Sequence, residues 1–219
     1  MSKLSADITM SLDGFVAGPE PSLDDPLGKG GMALHEWAFR LKRWREPHGL
    51  EGGEEDDHGD GEVVSESLDA AGATIMGRRM FSGGSGPWSE DPNANGWWGD
   101  EPPFHHPVFV LTHHAREPLE LQGGTTFTFV ADGIASALEQ ARAASGGKDV
   151  HLAGGASAVQ QYLDAGLLDA LQIHIAPILL GSGTRLLDNL SPDAIELRST
   201  RVRSSPYVTH LKYEIVKRG

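Results

Sequence analysis

Cysteine is absent from the 219 residues. That excludes disulfides and thiolate metal sites, and it suits a reducing compartment. Long hydrophobic runs are absent as well. No apolar stretch approaches the roughly 18 residues of a membrane span, and the opening MSKLSADITM lacks the apolar core of a secretory signal. A cytoplasmic protein with no membrane partner is expected. Positive charge is scarce: 18 Lys and Arg stand against 31 Asp and Glu, a formal net charge of −13. Nucleic-acid binding needs a basic face, so no nucleic-acid partner is expected. There is also no G-x-S-x-G elbow and no H-E-x-x-H pair, which disfavours the common hydrolase chemistries.

The acidity is local. Residues 51–62, EGGEEDDHGDGE, hold seven acids and no Lys or Arg, and without them the charge falls from −13 to −6. The remainder can still host an anion. At 39% hydrophobic the chain can bury a substantial core, and its length suits one domain over residues 1–219.

Strands are expected at Leu4–Met10, Ala73–Met76, Pro107–Thr112, Thr125–Val130 and Asp149–Ala153, and from Leu171 toward Leu180. A last strand, Tyr207–Val216, should pair antiparallel with 195–203. Leu34, Trp37, Leu41 and Trp44 recur at helical spacing and predict a helix over 32–45. A second helix carries Val64, Leu68 and Ala71 inward and stops at Gly72. A third is capped by Asp132 and buries Ile134, Leu138 and Ala141; a fourth starts at Ala156 or Ser157 with Val159 and Leu163 inward. Alternating strands and helices that end in strand-turn-strand specify an α/β fold. Its sheet is mixed but mainly parallel, flanked by helices, with an antiparallel C-terminal hairpin. Insertions lie near 20–62 and 83–106.

Three strand ends carry chemistry. In ATIMGRRMF, residues 73–81, a buried strand meets Gly77, Arg78 and Arg79 at the mouth of a short helix. A helix start offers free N–H groups to phosphate, and arginine adds bidentate recognition. Alone, the two arginines are as well explained by an ordinary solvated surface. In VHLAGGASAVQQYL, residues 150–163, Gly154-Gly155 leads a strand into a helix; this is either a tight turn or a diphosphate cradle. In VFVLTHHAR, residues 108–116, a strand ends in Thr112, His113, His114 and Arg116. The adjacent histidines point opposite ways on an extended chain, which argues against a metal pair. Taken together, the three motifs suggest a dinucleotide laid along the C-terminal edge of the sheet, and the arginines favour one with a 2′-phosphate.

These motifs, with ITMSLDGFVAG at 8–18 and AGLLDALQIHIAPILLGSGTRLLD at 165–188, resemble the dihydrofolate reductase-like superfamily. They are most similar to its branch containing the reductase domain of bacterial riboflavin biosynthesis (the RibD C-terminal domain). The resemblance implies an NADPH-dependent reductase and a homodimer. It implies that Gly77, Arg78 and Arg79 hold the 2′-phosphate and diphosphate, that Thr112 and His113 lie beside the adenosine half, and that Gly154, Gly155, Ala156 and Ser157 cradle the diphosphate. Ala17 would meet the nicotinamide carboxamide through its backbone. Met80 stands where the family usually has Thr, which removes one hydroxyl contact.

Reduction also needs a proton, from an acid or an ordered water. Glu36 on the first helix is one candidate; the other is Asp13 of SLDG, which the resemblance puts near the nicotinamide. An exposed helix Glu and an Asx-turn Asp are the plainer readings of the two. The substrate is expected to be a small heterocycle, of the dihydrofolate or 5-amino-6-(5-phosphoribosylamino)uracil type. Only Arg185 suggests a second phosphate site. Trp88, Trp97 and Trp98 lie in an insertion that serves as a substrate lid or as a dimer contact. Two rival readings remain. One is an NADPH-binding sensor or scaffold without turnover. The other is a calcium loop in which Asp56, His58, Asp60 and Gly61 open the pattern, but Ser67 stands where the bidentate Glu belongs.

Overall fold

The computed structural model describes residues 2–55, 58–191 and 195–216. Nine strands form one sheet: β1 (Leu4–Ser11), β3 (Ala71–Gly77), β4 (Pro107–Leu111), β5 (Leu119–Glu120), β6 (Thr126–Val130), β7 (Asp149–Gly154), β8 (Ala170–Ala176), β10 (Glu196–Ser204) and β11 (Thr209–Val216). Their order is β10-β11-β8-β1-β7-β3-β4-β6-β5. The six strands from β8 to β6 run parallel to one another, and β10, β11 and β5 are antiparallel to their neighbours. The mainly parallel sheet with an antiparallel C-terminal pair is the expected fold class. Two short strands, β2 (Phe15–Ala17) and β9 (Thr184–Arg185), pair separately.

The two faces of the sheet differ in chemistry. On one, Leu4, Ala6 and Ile8 of β1, Val150 and Leu152 of β7, and Leu171 and Ile173 of β8 pack on helices α5 (Ile134–Ala144) and α6 (Ala156–Asp164). Alternation sends Asp7, Thr9, His151, Gln172 and His174 to the other face. That polar face is covered by α1 (Glu36–Phe39) and α3 (Asp60–Ala70), with α2 (Lys42–Arg45) packed against both helices. Farther along it, Met76, Phe81 of α4 (Arg78–Ser82), Val108, Phe127 and Phe129 form a second core.

The insertion at 83–106 closes this second core. Trp88 packs edge-on to Phe129 with ring centroids 4.8 Å apart, and Trp98 packs on Phe104 at 4.9 Å. Trp97 crosses Gly83, where a Cβ would meet its ring at 2.9 Å. The three tryptophans are thus used in internal packing and stay half-buried.

Five local expectations change. The helix over 32–45 is broken: Leu41 is extended (φ −78°, ψ 129°), because the backbone there pairs with Glu54 through Glu54 N–H to Arg40 C=O at 2.7 Å and Lys42 N–H to Glu54 C=O at 3.1 Å. The second helix starts at Asp60 and buries Asp60, Gly61 and Val63, while Leu68 is exposed. It faces a polar sheet, so its polar side turns inward. Gly72 does not stop that helix but lies in β3, where a Cβ would stand 2.1 Å from the Ser145 carbonyl at the end of α5. Strand β8 ends at Ala176, well before Leu180. Asp132 makes no cap either, the N-cap of α5 being Gly133. No helix among the described residues is long and apolar enough to cross a membrane.

Candidate functional site

Parallel strands bring their C-terminal ends to one edge, and the three motifs meet there. Gly77 pairs in register with Leu111, so Arg78 and Thr112 leave neighbouring strands side by side. A Cβ on Gly77 would lie 3.6 Å from the Gly155 nitrogen and 3.7 Å from the Gly154 oxygen. Any side chain at Gly77 would therefore lie across the Gly154–Gly155 peptide, which is cis. Gly154 has φ +125°, a conformation that favours glycine. A Cβ there would meet Ile8 Cδ1 at 3.2 Å and Met80 Sδ at 3.7 Å, so Met80 lays its thioether along the Gly154 backbone. At the start of α6, Ala158 and Val159 N–H already bond the Gly155 carbonyl at 3.0 and 3.2 Å. The Ala156 and Ser157 amides ahead of them have no partner within the helix. Among the described residues the exposed Ser157 hydroxyl accepts only from Gln161 Nε2 of its own helix, at 3.3 Å.

Arg78 is not free to meet a ligand as expected. Its side chain is 7% exposed and ion-pairs with Asp91, which is 3% exposed. The guanidinium carbon lies 3.5 Å from the centre of the Trp88 ring. Asp91 also accepts from Ser82 Oγ at 2.7 Å and from Asn93 N–H at 2.9 Å. Burial opposes its ionisation, but the Ser82 hydroxyl and the Arg78 guanidinium hold the carboxyl below its ordinary range. Among the described residues Arg78 Nε and Nη1 have no hydrogen-bond partner, while its pair with Asp91 pins the insertion to α4. Arg79 is exposed, and its guanidinium makes no ion pair among the described residues. Thr112 is partly committed too, since its Oγ1 accepts from His114 N–H at 3.0 Å in a turn. His113 is exposed beside it.

Asp13 is corrected as a proton donor. Ser11 Oγ donates to it at 2.6 Å, Gly181 N–H at 2.7 Å and Leu180 N–H at 3.2 Å. The Ser11 hydroxyl foremost, then the two amides, draw its carboxyl down to about 2. Such a group stays ionised at neutral pH and serves to tie the SLDG turn to the segment after β8. Arg185 joins it by donating from Nη1 to the Asp13 carbonyl at 3.0 Å and lying 4.3 Å from the Phe15 ring, while its side chain stays exposed. Ala17 sits beside this turn and pairs with Thr184.

Glu36 is exposed at the start of α1. It lines a cleft of about 480 Å³ with Trp37, Arg40, Pro177, Ile178 and Tyr207. Arg40 ion-pairs with Glu54 and stacks over Tyr207, 3.2 Å from the ring centre. Among the described residues Glu36 has no such partner, so it is the cleft carboxylate open to a ligand. The cleft flanks the end of β8, and only β1 separates that strand from the Gly154 strand, β7.

Asp91 escaped the sequence reading because its partner lies across an irregular insertion. A buried chain through Asp7, His174, His210 and Asp60 escaped it as well. The alternation of Gln172 and His174 with Leu171, Ile173 and Ile175 was its sequence signal. Among the described residues no His, Asp or Glu group has metal-holding geometry. The calcium pattern fails where it can be seen: Asp60, Gly61 and Ser67 are helical, and Asp56 lies outside the described residues.

A sequence model described as the RibD C-terminal domain matches residues 2–211. No curated protein sequence matches significantly. Among solved structures, a protein assigned to riboflavin biosynthesis from Shewanella sp. PV-4 superposes with a TM-score of 0.61 at 19% identity, covering 98% of this chain and 99% of that one. A diaminohydroxyphosphoribosylaminopyrimidine deaminase/5-amino-6-(5-phosphoribosylamino)uracil reductase from Thermotoga maritima gives 0.57 at 13% identity, over 98% of this chain and 57% of its own. The riboflavin biosynthesis reductase Rib7 of Saccharomyces cerevisiae gives 0.51 at 14%, over 99% and 89%. At these identities the likeness is one of fold.

Proposed function

The chain belongs to the RibD C-terminal domain family, a family of riboflavin biosynthesis reductases, and on that premise we propose that it is an NADPH-dependent reductase of a small nitrogen heterocycle. The observation that carries the reading is the meeting of Gly77 with Gly154-Gly155 at the edge of the sheet. It forms a side-chain-free cradle beside the open first turn of α6, the donor set that a diphosphate fits. Gly77, Gly154, Gly155, Ala156 and Ser157 would hold the diphosphate through backbone groups. Arg79, with Arg78 paired internally, is the guanidinium left for the 2′-phosphate. His113 and Thr112 would flank the adenosine half, and Ala17 the nicotinamide. Bound there, the cofactor supplies a hydride.

The rest of the chemistry is the chain's own. The cleft beside β8 holds the heterocycle, with Trp37, Pro177 and Ile178 excluding water from one side and Tyr207 closing another. Reduction of C=N or C=O adds a hydride at carbon and a proton at the heteroatom. Asp13 stays ionised and positions the turn between cofactor and cleft. Glu36 faces the cleft and delivers the proton or orders the water that does.

The test follows reduced-nicotinamide absorbance with dihydrofolate and with the phosphoribosylaminouracil, using NADPH and NADH in parallel. Faster oxidation with NADPH and either heterocycle supports the reading. Tight NADPH binding with no oxidation by any heterocycle overturns it in favour of a non-catalytic NADPH-binding protein.

A further inference from the structure

Beneath the cleft, four titratable side chains form one buried line. His174 Nε2 lies 3.5 Å from Asp7 Oδ1. His174 Nδ1 lies 2.6 Å from His210 Nδ1. His210 Nε2 lies 3.1 Å from Asp60 Oδ1. The side chains are 14%, 8%, 1% and 3% exposed along the line. Trp37 covers both imidazoles, with ring centroids 5.0 Å from His174 and 5.1 Å from His210, and donates its indole N–H to Thr9 at 3.3 Å. The same Trp37 lines the cleft.

Hydrogen bonding fixes the proton count of this line. Two nitrogens 2.6 Å apart need one proton between them: none leaves two lone pairs face to face, and two leave opposed N–H groups. His210 Nε2 carries a proton for Asp60, and the buried Asp7 Oδ1, which has no hydrogen-bond partner among the described residues, calls for a second on His174 Nε2, 3.5 Å away. Three protons on four ring nitrogens make one imidazolium and one neutral imidazole.

We propose that His174 and His210 are positioning residues that share one such charge between Asp7 and Asp60 and thereby hold Trp37 as the floor of the cleft, so that the cleft binds its ligand only while the pair is singly protonated. The role in ligand binding rests on the cleft being the substrate site; the proton count does not.

The surroundings fit a single charge. On α3, Ser67 donates to Asp7 at 2.7 Å, and Glu66 takes Arg201 from β10 and Lys212 from β11, both at 2.6 Å. Arg201 also donates to Gln172 of β8 at 2.9 Å, so these outer charges are matched among themselves. His151 of β7 lies 3.8 Å from Asp7. Burial first, and His174 with it, pushes His35 down to about 4, and burial lowers His151 against the opposing pull of Asp7. Burial and the neighbouring His174 push His210 down to about 4, so a second proton enters only in acid. When it does, two N–H groups oppose each other under Trp37 and the line opens.

The experiment combines ring-nitrogen NMR of the histidines with fluorine NMR of protein labelled with 5-fluorotryptophan, titrated from neutral pH to about 4. Trp37→Phe identifies the Trp37 signal. One charged and one neutral ring are expected at neutral pH, with Trp37 shifting as the second ring charges. His210→Gln keeps both hydrogen bonds without titrating, and in it the Trp37 shift is expected to vanish. For a heterocycle that is turned over, KM should rise about tenfold per pH unit below the midpoint, because the competent fraction falls by that factor, with kcat changing less. Two neutral rings at neutral pH, or a Trp37 signal that ignores the pair, would overturn the proposal. The wild-type titration decides this even where His210→Gln does not fold. If Trp37 follows the pair but no heterocycle oxidises NADPH, the shared proton stands and the reductase reading falls.

Discussion

Arg78 and Arg79 are neighbours in sequence, and the structure predicts opposite consequences for removing them. Arg78 and Asp91 are 7% and 3% exposed. Removing one partner of a buried pair strands the other charge, at about 3–5 kcal/mol. Asp91→Ala is expected to cost in that range. Arg78→Met should fall near the lower end, because Ser82 and Asn93 still bond the Asp91 carboxylate. For a chain of this size each kcal/mol moves Tm by roughly 2–4 °C, so a loss of about 10 °C is expected for either variant. Arg79 is exposed and unpaired among the described residues, so Arg79→Ala should leave Tm within about 1–2 °C. It should instead lose a charge-assisted bond to the 2′-phosphate, about 1.5–3 kcal/mol, or roughly 10- to 100-fold in the Kd for NADPH, with NADH unchanged. Calorimetric titration with both nucleotides, beside thermal unfolding, separates the effects. The reasoning is refuted if Arg78→Met keeps the wild-type Tm and selectively loses NADPH, for then the guanidinium leaves Asp91 to meet the phosphate.

Stability should fall in acid. His35, His106 and His210 are each pushed by burial from 6.5 to about 4. The unfolded chain therefore binds more protons than the folded one between those values, and stability drops as pH falls through that window. For a fully buried histidine this is up to about 3 kcal/mol, and less for the partly exposed His106. A urea midpoint equal at pH values near 7 and near 4.5 would contradict it. Gly72→Ala should destabilise by at least about 1–3 kcal/mol, since the new Cβ would stand 2.1 Å from the Ser145 carbonyl; an unchanged Tm would show that β3 and α5 can separate there. Glu36→Gln should lower kcat by about 100-fold or more while cofactor affinity holds, and an unaffected kcat would move the proton source elsewhere.

The fold was legible because its signals are local. Alternation in residues 126–130 and 170–176 marks strands wherever those strands end up in the sheet. The second helix was misread on one face because Val64 and Leu68 obey the helical period. The partner face, however, carries Asp7, His174 and His210, and it draws in Asp60 and Ser67. Which apolar positions are buried depends on what they meet, and periodicity does not contain that.

By itself the sequence determined the order of the main strands and helices, the glycine turns at their ends and the family, since each is written in contiguous residues whose conformational preferences act over a few positions. Only the tertiary structure decided what individual charges do. Asp13, Arg78 and Arg185 have the right chemistry for a site, and folding engages each of them with a partner from 13 to 172 residues away. Charge interactions act through space, and burial decides their strength. Whether an arginine meets a ligand or an aspartate is therefore settled when distant segments pack together.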